Sequence, residues 1–128
     1  MIPSYWNTVI TLYSRVVDHT GGTDKVSYIP HVLNNCFFKK STKQHFAGQS
    51  VNNTTQHIVR IPYVDGLVIK KSDFIVKGLT SESIEDVKGK RLSDMKLKYG
   101  SDCFIVNAVH DNTGFETANH WLASDFGD

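Results

Sequence analysis

Two apolar stretches, Cys103-Phe-Ile-Val-Asn-Ala-Val109 and His120-Trp-Leu-Ala123, decide the predicted fold of this chain. The first is rich in β-branched and aromatic residues and contains no proline, which favours a strand. The connection between them, from His110 to Asn119, is polar and holds turn residues such as Gly114. We therefore predict that the two stretches form antiparallel strands joined by a long, exposed loop.

Length and composition indicate one folded domain that spans residues 1–128. The chain is 40% hydrophobic and 21% charged, and its formal net charge is +1. This length can bury a single core without cross-links, and this composition argues against disorder. A net charge near zero produces no overall field that would favour nucleic acid or an anionic membrane, and it opposes self-association only weakly. No apolar run approaches the ~20 residues that a membrane-spanning helix needs.

Period-two alternation predicts further strands between Thr8 and Lys77. In the stretch Thr8–Val17, Ile10 and Leu12 point to one face, whereas Tyr13 and Arg15 point to the other. A Gly-Gly turn follows this strand, and Pro30 requires an edge position or a bend in the return strand. The other strands predicted here are Lys25–Ile29, His31–Leu33, Cys36–Phe38, His57–Tyr63 and Phe74–Lys77.

One short helix is predicted inside an insertion at about residues 80–100. It runs from Leu92 to Tyr99, places Met95 on the same face as both of these residues, and ends at Gly100 as its C-cap. The predicted fold class is therefore mainly β, a small antiparallel β-barrel or sandwich with long loops and one short helix.

The segment from Lys39 to Gln56 differs in character from its surroundings. It is rich in lysine, asparagine, glutamine and threonine, and Phe46 and Val51 are its only large apolar residues. We predict a long, flexible loop here. Loops of this length in compact domains are often functional or mobile, although a solvated connection without a role is an equally good interpretation.

The candidate catalytic and metal-binding residues lack the spacing that such sites need. His110 and His120 flank one loop near Asp111 and Cys103, but no His-x-x-x-His or Cys-x-x-Cys pattern occurs. Cys36 and Cys103 lie in apolar strand contexts, which favours reduced, buried and unreactive thiols. We therefore predict no catalytic residues, no metal, no cofactor and no enzymatic activity.

Three groups of residues carry a resemblance to a known family. The stretch Thr8–Arg15 resembles an opening strand that reads "TVTLYNR", and His31–Phe38 follows it as the return. Ser72-Asp-Phe-Ile-Val-Lys-Gly78 is similar to a strand that normally begins with Gly-Asp, so Ser72 replaces a glycine. Phe104–Asp111 and Ala118–Leu122 resemble a closing hairpin whose second strand begins with His-Trp. The family comprises small virion proteins, encoded among the head–tail joining genes of long-tailed phages of Gram-positive hosts.

The resemblance implies a structural subunit of the virion neck at the head–tail interface. Such a protein would be a stopper, or head-closure, component that forms a homo-oligomeric ring, retains packaged double-stranded DNA and docks the tail. Its partners would be the portal or adaptor ring and the tail terminator or other tail proteins, with no membrane. The host cytoplasm would be its place of synthesis, and the virion its destination.

Length and composition then suggest which residues meet these partners. We predict that the Lys39–Gln56 loop faces the DNA channel or a neighbouring ring, and that it contacts phosphates without reading sequence, through Lys39, Lys40, Lys43 and His45. The predicted ring contacts are Phe46, Phe115, His120 and Trp121.

Two other interpretations remain open at this stage. The chain would also fit an adjoining tail-completion or minor capsid component. Alternatively, it would fit a monomeric β-barrel adaptor or inhibitor that binds one host protein. A ring subunit would expose apolar residues at loop tips, whereas a monomeric adaptor would expose one contiguous patch.

Overall fold

The structure is a computed structural model that describes residues 6–18, 20–22, 25–47, 50–85, 87–112 and 120–125, with side chains for all of these except 20, 42–47, 50–54 and 112. It contains seven strands and one helix. The strands are β1 (Thr8–Asp18), β2 (Lys25–Ala47), β3 (Ser50–Pro62), β4 (Phe74–Lys77), β5 (Cys103–Ile105), β6 (Ala108–Asn112) and β7 (His120–Ser124), and the helix is α1 (Leu92–Tyr99).

The strands form one antiparallel sheet that curls back toward itself. Their order is β5-β4-β1-β2-β3-β7-β6, so the two edge strands, β5 and β6, are neighbours in sequence. Only Val106 and Asn107 separate them. Because consecutive Cα atoms lie ~3.8 Å apart, Ile105 and Ala108 are at most about 11 Å from each other. The sheet is therefore a curled half-barrel, which confirms the predicted fold class.

The alternation of side chains along the strands builds two separate hydrophobic clusters. The inner cluster fills the curled sheet, and its members include Ile10, Leu12, Leu33, Val59, Ile61, Ile75, Phe104, Val106, Trp121 and Ala123. The outer cluster lies between the sheet and the segment that contains α1, and its members are Tyr13, Phe74, Val76, Ile84, Met95 and Cys103. Since neighbouring residues of β1, β4 and β5 belong to different clusters, these strands are buried on both faces.

Strand β2 changes its neighbour at a β-bulge. Its first half pairs with β1, where Thr8 lies opposite Cys36 and Ile10 opposite Leu33. One residue of β1, Val9, therefore lies opposite two of β2, Asn34 and Asn35, and Asn35 has a φ of 58°. Asparagine tolerates this left-handed conformation better than most residues do. The bulge bends β2, and from Phe37 onward its partner is β3.

The free edge of β2 explains the position of Pro30. The Arg15 backbone N–H bonds the Asp73 carboxylate at 2.9 Å, so it points away from β2. Tyr28, which lies opposite Arg15, then directs its own backbone groups away from β1, and so does Pro30 two residues further on. The missing N–H of the proline thus falls on the outer edge, as predicted.

Helix α1 has the predicted bounds, Leu92–Tyr99. Met95 is 3% exposed and belongs to the outer cluster, against which Leu92 and Tyr99 also pack. The Asp94 carboxylate accepts hydrogen bonds from the backbone N–H groups of Arg91 and Gly89, which closes the first turn. A tyrosine hydroxyl helps to anchor this region, because Tyr13 donates a 2.6 Å hydrogen bond to the Glu82 carbonyl, and burial raises the pKa of Tyr13.

The predicted strand Cys103–Val109 is instead two strands. β5 pairs with β4, and β6 pairs with β7. Between them, the Val106 N–H bonds the Asp73 carbonyl, and the Ser72 N–H bonds the Val106 carbonyl. The apolar run is continuous because both strands and the link between them face the core, so hydrophobicity does not reveal the change of partner. The loop predicted between β6 and β7 lies largely in residues 113–119, outside the described residues.

The prediction of a loop at Lys39–Gln56 is wrong. The chain continues β2 to Ala47 and begins β3 at Ser50, and the two strands pair in an uninterrupted register from Phe37–Arg60 to Ala47–Ser50. The ladder is made by backbone groups, which hydrogen-bond whatever the side chains are. A polar composition therefore masked a strand pair. The predicted flexibility of this segment stays a prediction.

Candidate interaction surface

The end of the β2–β3 hairpin, Ser41–Ala47 with Ser50–Gln56, is here named the arm. The pairing of β1 with β2 stops at Cys36, and the pairing of β7 with β3 stops at Ile58. Beyond these points the arm is a ribbon of two strands, about 23 Å long at ~3.3 Å per residue. A two-stranded ribbon buries little, and its outer edges present backbone groups on which a further strand can pair.

All four residues predicted to face DNA lie on the arm or directly before it. Lys43 and His45 belong to the arm, as does the predicted ring contact Phe46, and the side chains of all three lie outside the description. The backbone register places Phe46 opposite Val51, which brings together the two large apolar residues of the segment. Lys39 and Lys40 precede the arm, and both are exposed.

Lys40 has a carboxylate partner in the structure. Its Nζ atom donates hydrogen bonds to Asp102 Oδ1 at 3.0 Å and to Ser101 Oγ at 3.1 Å. The hydrogen bond from Lys40 is the main reason that the pKa of Asp102 is lowered, and the charges of Lys40, Lys77 and His57 add to it. Both side chains of the pair are about half exposed, so the pair is readily screened by salt. Its cation is partly neutralised before any phosphate approaches.

His57 is the residue that fastens the base of the arm to the rest of the sheet. Its Nδ1 atom lies 2.7 Å from Asp125 Oδ2, and its Nε2 atom lies 2.7 Å from the Ser101 carbonyl oxygen. Its backbone N–H also bonds Asp125 Oδ1 at 2.8 Å. Carbonyl and carboxylate oxygens only accept, so both ring contacts are satisfied together when both ring nitrogens carry protons. We name His57, Asp125 and Ser101 the clasp.

Aromatic rings complete the base of the arm beside the clasp. The His57 ring stacks on Phe104 with centroids 5.1 Å apart and planes at 13°, and Phe38 meets His57 edge-on at 5.9 Å. Lys77 Nζ lies 5.8 Å from the centre of the Phe38 ring. The role of His57 cannot be read from the sequence, because its partners are 44 and 68 positions away and no spacing pattern links them.

The clasp is not arranged as a catalytic triad. His57 Nε2 faces the carbonyl of Ser101, whereas the hydroxyl of that serine accepts the bond from Lys40. A nucleophilic mechanism would require the base to contact the hydroxyl. With its side chain only 7% exposed, His57 joins three chain segments and offers little surface to a substrate.

The predicted ring contacts at the end of the chain have different surroundings. Trp121 is 9% exposed and belongs to the inner cluster, so the prediction that it is a contact residue is wrong: its strand alternation directs it inward. His120 is half-buried, with Nε2 3.0 Å from Arg60 and its ring edge-on to Trp6 at 5.3 Å. Phe115 lies outside the described residues.

The two cysteines are buried and free. Burial raises the pKa of Cys36 to about 12 and also raises the pKa of Cys103, so both sulfurs are held as thiols. Within the described residues, no cluster of three or more histidine, cysteine, aspartate or glutamate side chains is positioned to hold a metal ion. In the same part of the chain, no helix combines the length and apolarity that crossing a membrane requires.

Comparison with known proteins places the chain in a family. No curated protein and no solved structure matches it significantly. Residues 5–124, which include all seven strands and the helix, match a family defined by sequence. The chain therefore belongs to the family of unknown function DUF6751.

Proposed function

We propose that this protein is a structural subunit of the neck of a long-tailed phage, a stopper-type component that forms a homo-oligomeric ring at the head–tail interface. The motifs of the resemblance support this proposal by their positions. The "TVTLYNR"-like stretch lies within β1, the Ser72–Gly78 stretch contains β4, and the closing motifs overlap β5, β6 and β7. They therefore make up much of the curled sheet and are not scattered over its loops.

The observation that carries the proposal is the arm on a curled, well-packed body. A ring subunit needs a rigid body and an element that reaches its neighbour, and heterologous contacts with a closing rotation generate rings. The outer edges of the arm suit the addition of a strand from an adjacent protein, because main-chain hydrogen bonds supply affinity in that mode. The lysines of the arm and its base would then line the DNA channel and contact phosphates without sequence preference.

The turn at Ser72 gives independent support to the resemblance. The pattern of the phage virion family has glycine where this chain has Ser72, and Ser72 has a φ of 82°. This left-handed region favours glycine, which has no Cβ. At this position, the backbone therefore has a conformation that suits the glycine usual in the phage virion family.

A shortened arm tests the proposal. Replacing residues 42–55 by Asn-Gly joins Ser41 to Gln56, which lie opposite each other, through a two-residue turn of a type that suits a hairpin. We expect the variant to fold with a free energy of unfolding within about 0.5 kcal/mol of the wild type, because the arm is a ribbon of two strands with a largely polar sequence, and such a ribbon adds little stability of its own. Phage particles carrying it should fail to retain DNA or to join tails.

The matched control is a variant with Lys96, an exposed residue of α1 away from the arm, replaced by glutamine. It should assemble normally in the same complementation experiment. Electron microscopy of wild-type virions should locate the chain as a ring around the axial channel. If particles with the shortened arm retain DNA and join tails normally, the proposed role of the arm is refuted. If virions contain no copy of the chain, the neck assignment itself is refuted.

One observation favours the alternative of a monomeric adaptor that binds a host protein. The β1–β2 hairpin carries four exposed aliphatic residues, each between 38% and 48% exposed: Val16, Val26, Ile29 and Val32. Their register, however, distributes them over both faces of the hairpin, with Val16 and Ile29 on one face and Val26 and Val32 on the other. Other apolar residues are exposed in loops, such as Val64, Val68 and Leu79, which fits a ring subunit better than a single patch does.

A further inference from the structure

The clasp holds a buried histidine ring between two oxygen atoms that only accept hydrogen bonds. His57 Nδ1 lies 2.7 Å from the carboxylate of Asp125, and His57 Nε2 lies 2.7 Å from the carbonyl oxygen of Ser101. A neutral imidazole carries one N–H and donates only one of these bonds, whereas an imidazolium donates both. The geometry of the clasp therefore suits the protonated ring.

The other sides of the ring are covered by aromatic groups. Phe104 stacks on one face, and Phe38 meets the ring edge-on. The side chain of His57 is only 7% exposed, so its ring nitrogens have little access to water. A neutral ring that keeps its bond to Asp125 would leave an Nε2 lone pair beside the Ser101 carbonyl oxygen, and two acceptors at that separation repel each other.

Charged side chains of both signs surround the clasp. Lys40 lies opposite His57 in the β2–β3 ladder, and Lys77 belongs to β4. Both cations, together with the charge of His57, help to lower the pKa of Asp102, on which Lys40 also forms a 3.0 Å hydrogen bond. Among the described residues, Asp125 is the charged group that touches the ring itself, so its contact outweighs the more distant cations.

The clasp joins both strands of the arm to one turn of the body. His57 directly follows the arm on β3, and its ring contacts Ser101 in the turn Gly100–Asp102. On β2, Lys40 bonds the side chains of Ser101 and Asp102 in the same turn. A movement of this turn would therefore loosen the base of the arm on both strands.

We propose that the clasp is a pH-sensitive fastening, in which the protonated His57 ring holds the base of the arm to the turn at Ser101 and loss of one ring proton releases that turn. The Nδ1 proton stays with Asp125, because a carboxylate is the stronger acceptor, and the Nε2 proton leaves to solvent. Ser101 is exposed, so its carbonyl can bond water once the turn moves away.

The direction of the effect follows from the form of the ring that makes both bonds. Histidine is the side chain that normally changes charge between about pH 5 and 8. The fastening is complete where His57 is protonated, and it is lost as the pH rises and the ring becomes neutral. The inference concerns how the arm is held and not what it binds, so it is independent of the proposed function.

Nuclear magnetic resonance of the full-length chain tests the proposal. The ¹⁵N shifts of the His57 ring report its protonation across about pH 5 to 8. Amide hydrogen exchange, corrected for its intrinsic dependence on pH, reports how firmly the arm is held. We expect the protection of amides at residues 40–42 and 55–57 to fall about tenfold as the ring loses its proton, because a charge-assisted hydrogen bond is lost.

Three variants distinguish the clasp from other titrating groups. His57→Phe keeps an aromatic ring that cannot titrate, so its arm should exchange at every pH as the wild type does with a neutral ring. Asp125→Asn keeps an oxygen acceptor but removes the charge, so the midpoint of the transition should move to lower pH. His31→Gln is the control, since His31 lies on the half of β2 that pairs with β1, and it should keep the wild-type midpoint.

Each other result overturns the proposal. If the ring titrates without a change in protection, the clasp does not hold the arm. If the ring keeps one protonation state across this range, the clasp is not a switch. A transition that persists in His57→Phe, or that keeps its midpoint in Asp125→Asn, assigns the effect to another group. Circular dichroism checks the fold of each variant, and the wild-type titration decides the outcome even where a variant misfolds.

Discussion

The body of the protein and its arm are both antiparallel β-structure, but they are held together in different ways. The body has two clusters that bury both faces of β1, β4 and β5, and its strands have neighbours on both sides over much of their length. The arm has one partner strand for each of its strands and a largely polar sequence. Burial of apolar side chains therefore stabilises the body. The arm is held by backbone hydrogen bonds between β2 and β3, which continue the pairing that begins in the body.

Under the proposed function, this difference assigns stability to the body and assembly to the arm. A change in the body should alter the free energy of unfolding, and a change in the arm should alter assembly. At the junction, the clasp hydrogen-bonds His57, the residue next to the arm, to Asp125 and Ser101 of the body. Substitutions in the body, in the clasp and in the exposed pair beside it should therefore have effects of decreasing size.

The largest effect is expected for Ile61→Ala in the inner cluster. Ile61 is fully buried, so truncation removes its transfer free energy and leaves a cavity, at a cost of about 2–5 kcal/mol. Urea denaturation followed by tryptophan fluorescence measures this loss. The shortened arm is the comparison, with an expected change within about 0.5 kcal/mol. Equal losses in the two variants would contradict the division between body and arm.

A smaller loss is expected for His57→Phe. Phenylalanine keeps the stack on Phe104 but removes both ring nitrogens, which leaves the Asp125 carboxylate and the Ser101 carbonyl with fewer partners. Because Asp125 is partly exposed and Ser101 is exposed, water replaces part of the lost bonding, so we expect a loss of about 0.5–1.5 kcal/mol for the hydrogen bonds removed. Hydrogen exchange of the arm amides should also accelerate, because the clasp no longer holds their base.

Phe38→Leu is the matched control for this substitution, since it alters the aromatic contact and leaves the clasp intact. It should reduce stability without a selective acceleration of exchange in the arm. If the free energy of unfolding of His57→Phe is within about 0.5 kcal/mol of the wild-type value, the two hydrogen bonds of the His57 ring stabilise the fold little more than hydrogen bonds to water would.

The parts of the fold that could be predicted from the sequence are those with a local signal. Thr8–Val17 alternates, and Leu92–Tyr99 has a helical apolar face, acidic residues before lysines and a glycine at its end, so both elements were placed nearly at their observed bounds. The arm could not be predicted, because its ladder is made by backbone groups that leave no pattern in the side chains.

The clasp was unpredictable for a different reason. His57, Ser101 and Asp125 are ordinary polar residues of separate chain segments, and only the curl of the sheet brings Ser101 and Asp125 each to 2.7 Å from a ring nitrogen of His57. The sequence also does not show that the pairing partner changes from β4 to β7 at Val106. Phe104, Val106 and Val109 all contact the inner cluster, so the apolar pattern continues through the break between β5 and β6. Local sequence carries information on periodicity but little on which distant segments meet.

Ser72→Gly is expected to stabilise the body. Ser72 has a φ of 82°, and a Cβ atom in this region costs of order 1 kcal/mol, partly offset because glycine gains entropy in the unfolded chain. We expect a gain of about 0.5–1 kcal/mol in urea denaturation. Ser72→Ala is the control, because it removes the hydroxyl and keeps the Cβ atom. If alanine stabilises as much as glycine, backbone strain is not the cause.

The smallest effect is expected for Asp102→Asn, and it should depend on pH. The pKa of Asp102 is lowered in the folded protein, chiefly by the hydrogen bond from Lys40. A lowered pKa means that the stabilisation is fully present above the ordinary value of about 3.9 and is lost as the pH falls through the lowered value. Because both side chains are about half exposed, the loss at pH 7 should be about 0.2–1 kcal/mol.

The same substitution shows whether the exposed pair fastens the arm or merely lies beside its base. Chemical denaturation at pH 7 should show the deficit of Asp102→Asn, and the deficit should shrink as the pH falls through the lowered pKa of Asp102, where the wild-type carboxylate also becomes neutral. Lys40→Met in each background completes a double-mutant cycle that isolates the coupling between the two side chains. A deficit that persists at low pH would instead reflect packing at the turn, and would leave the clasp as the main fastening between body and arm.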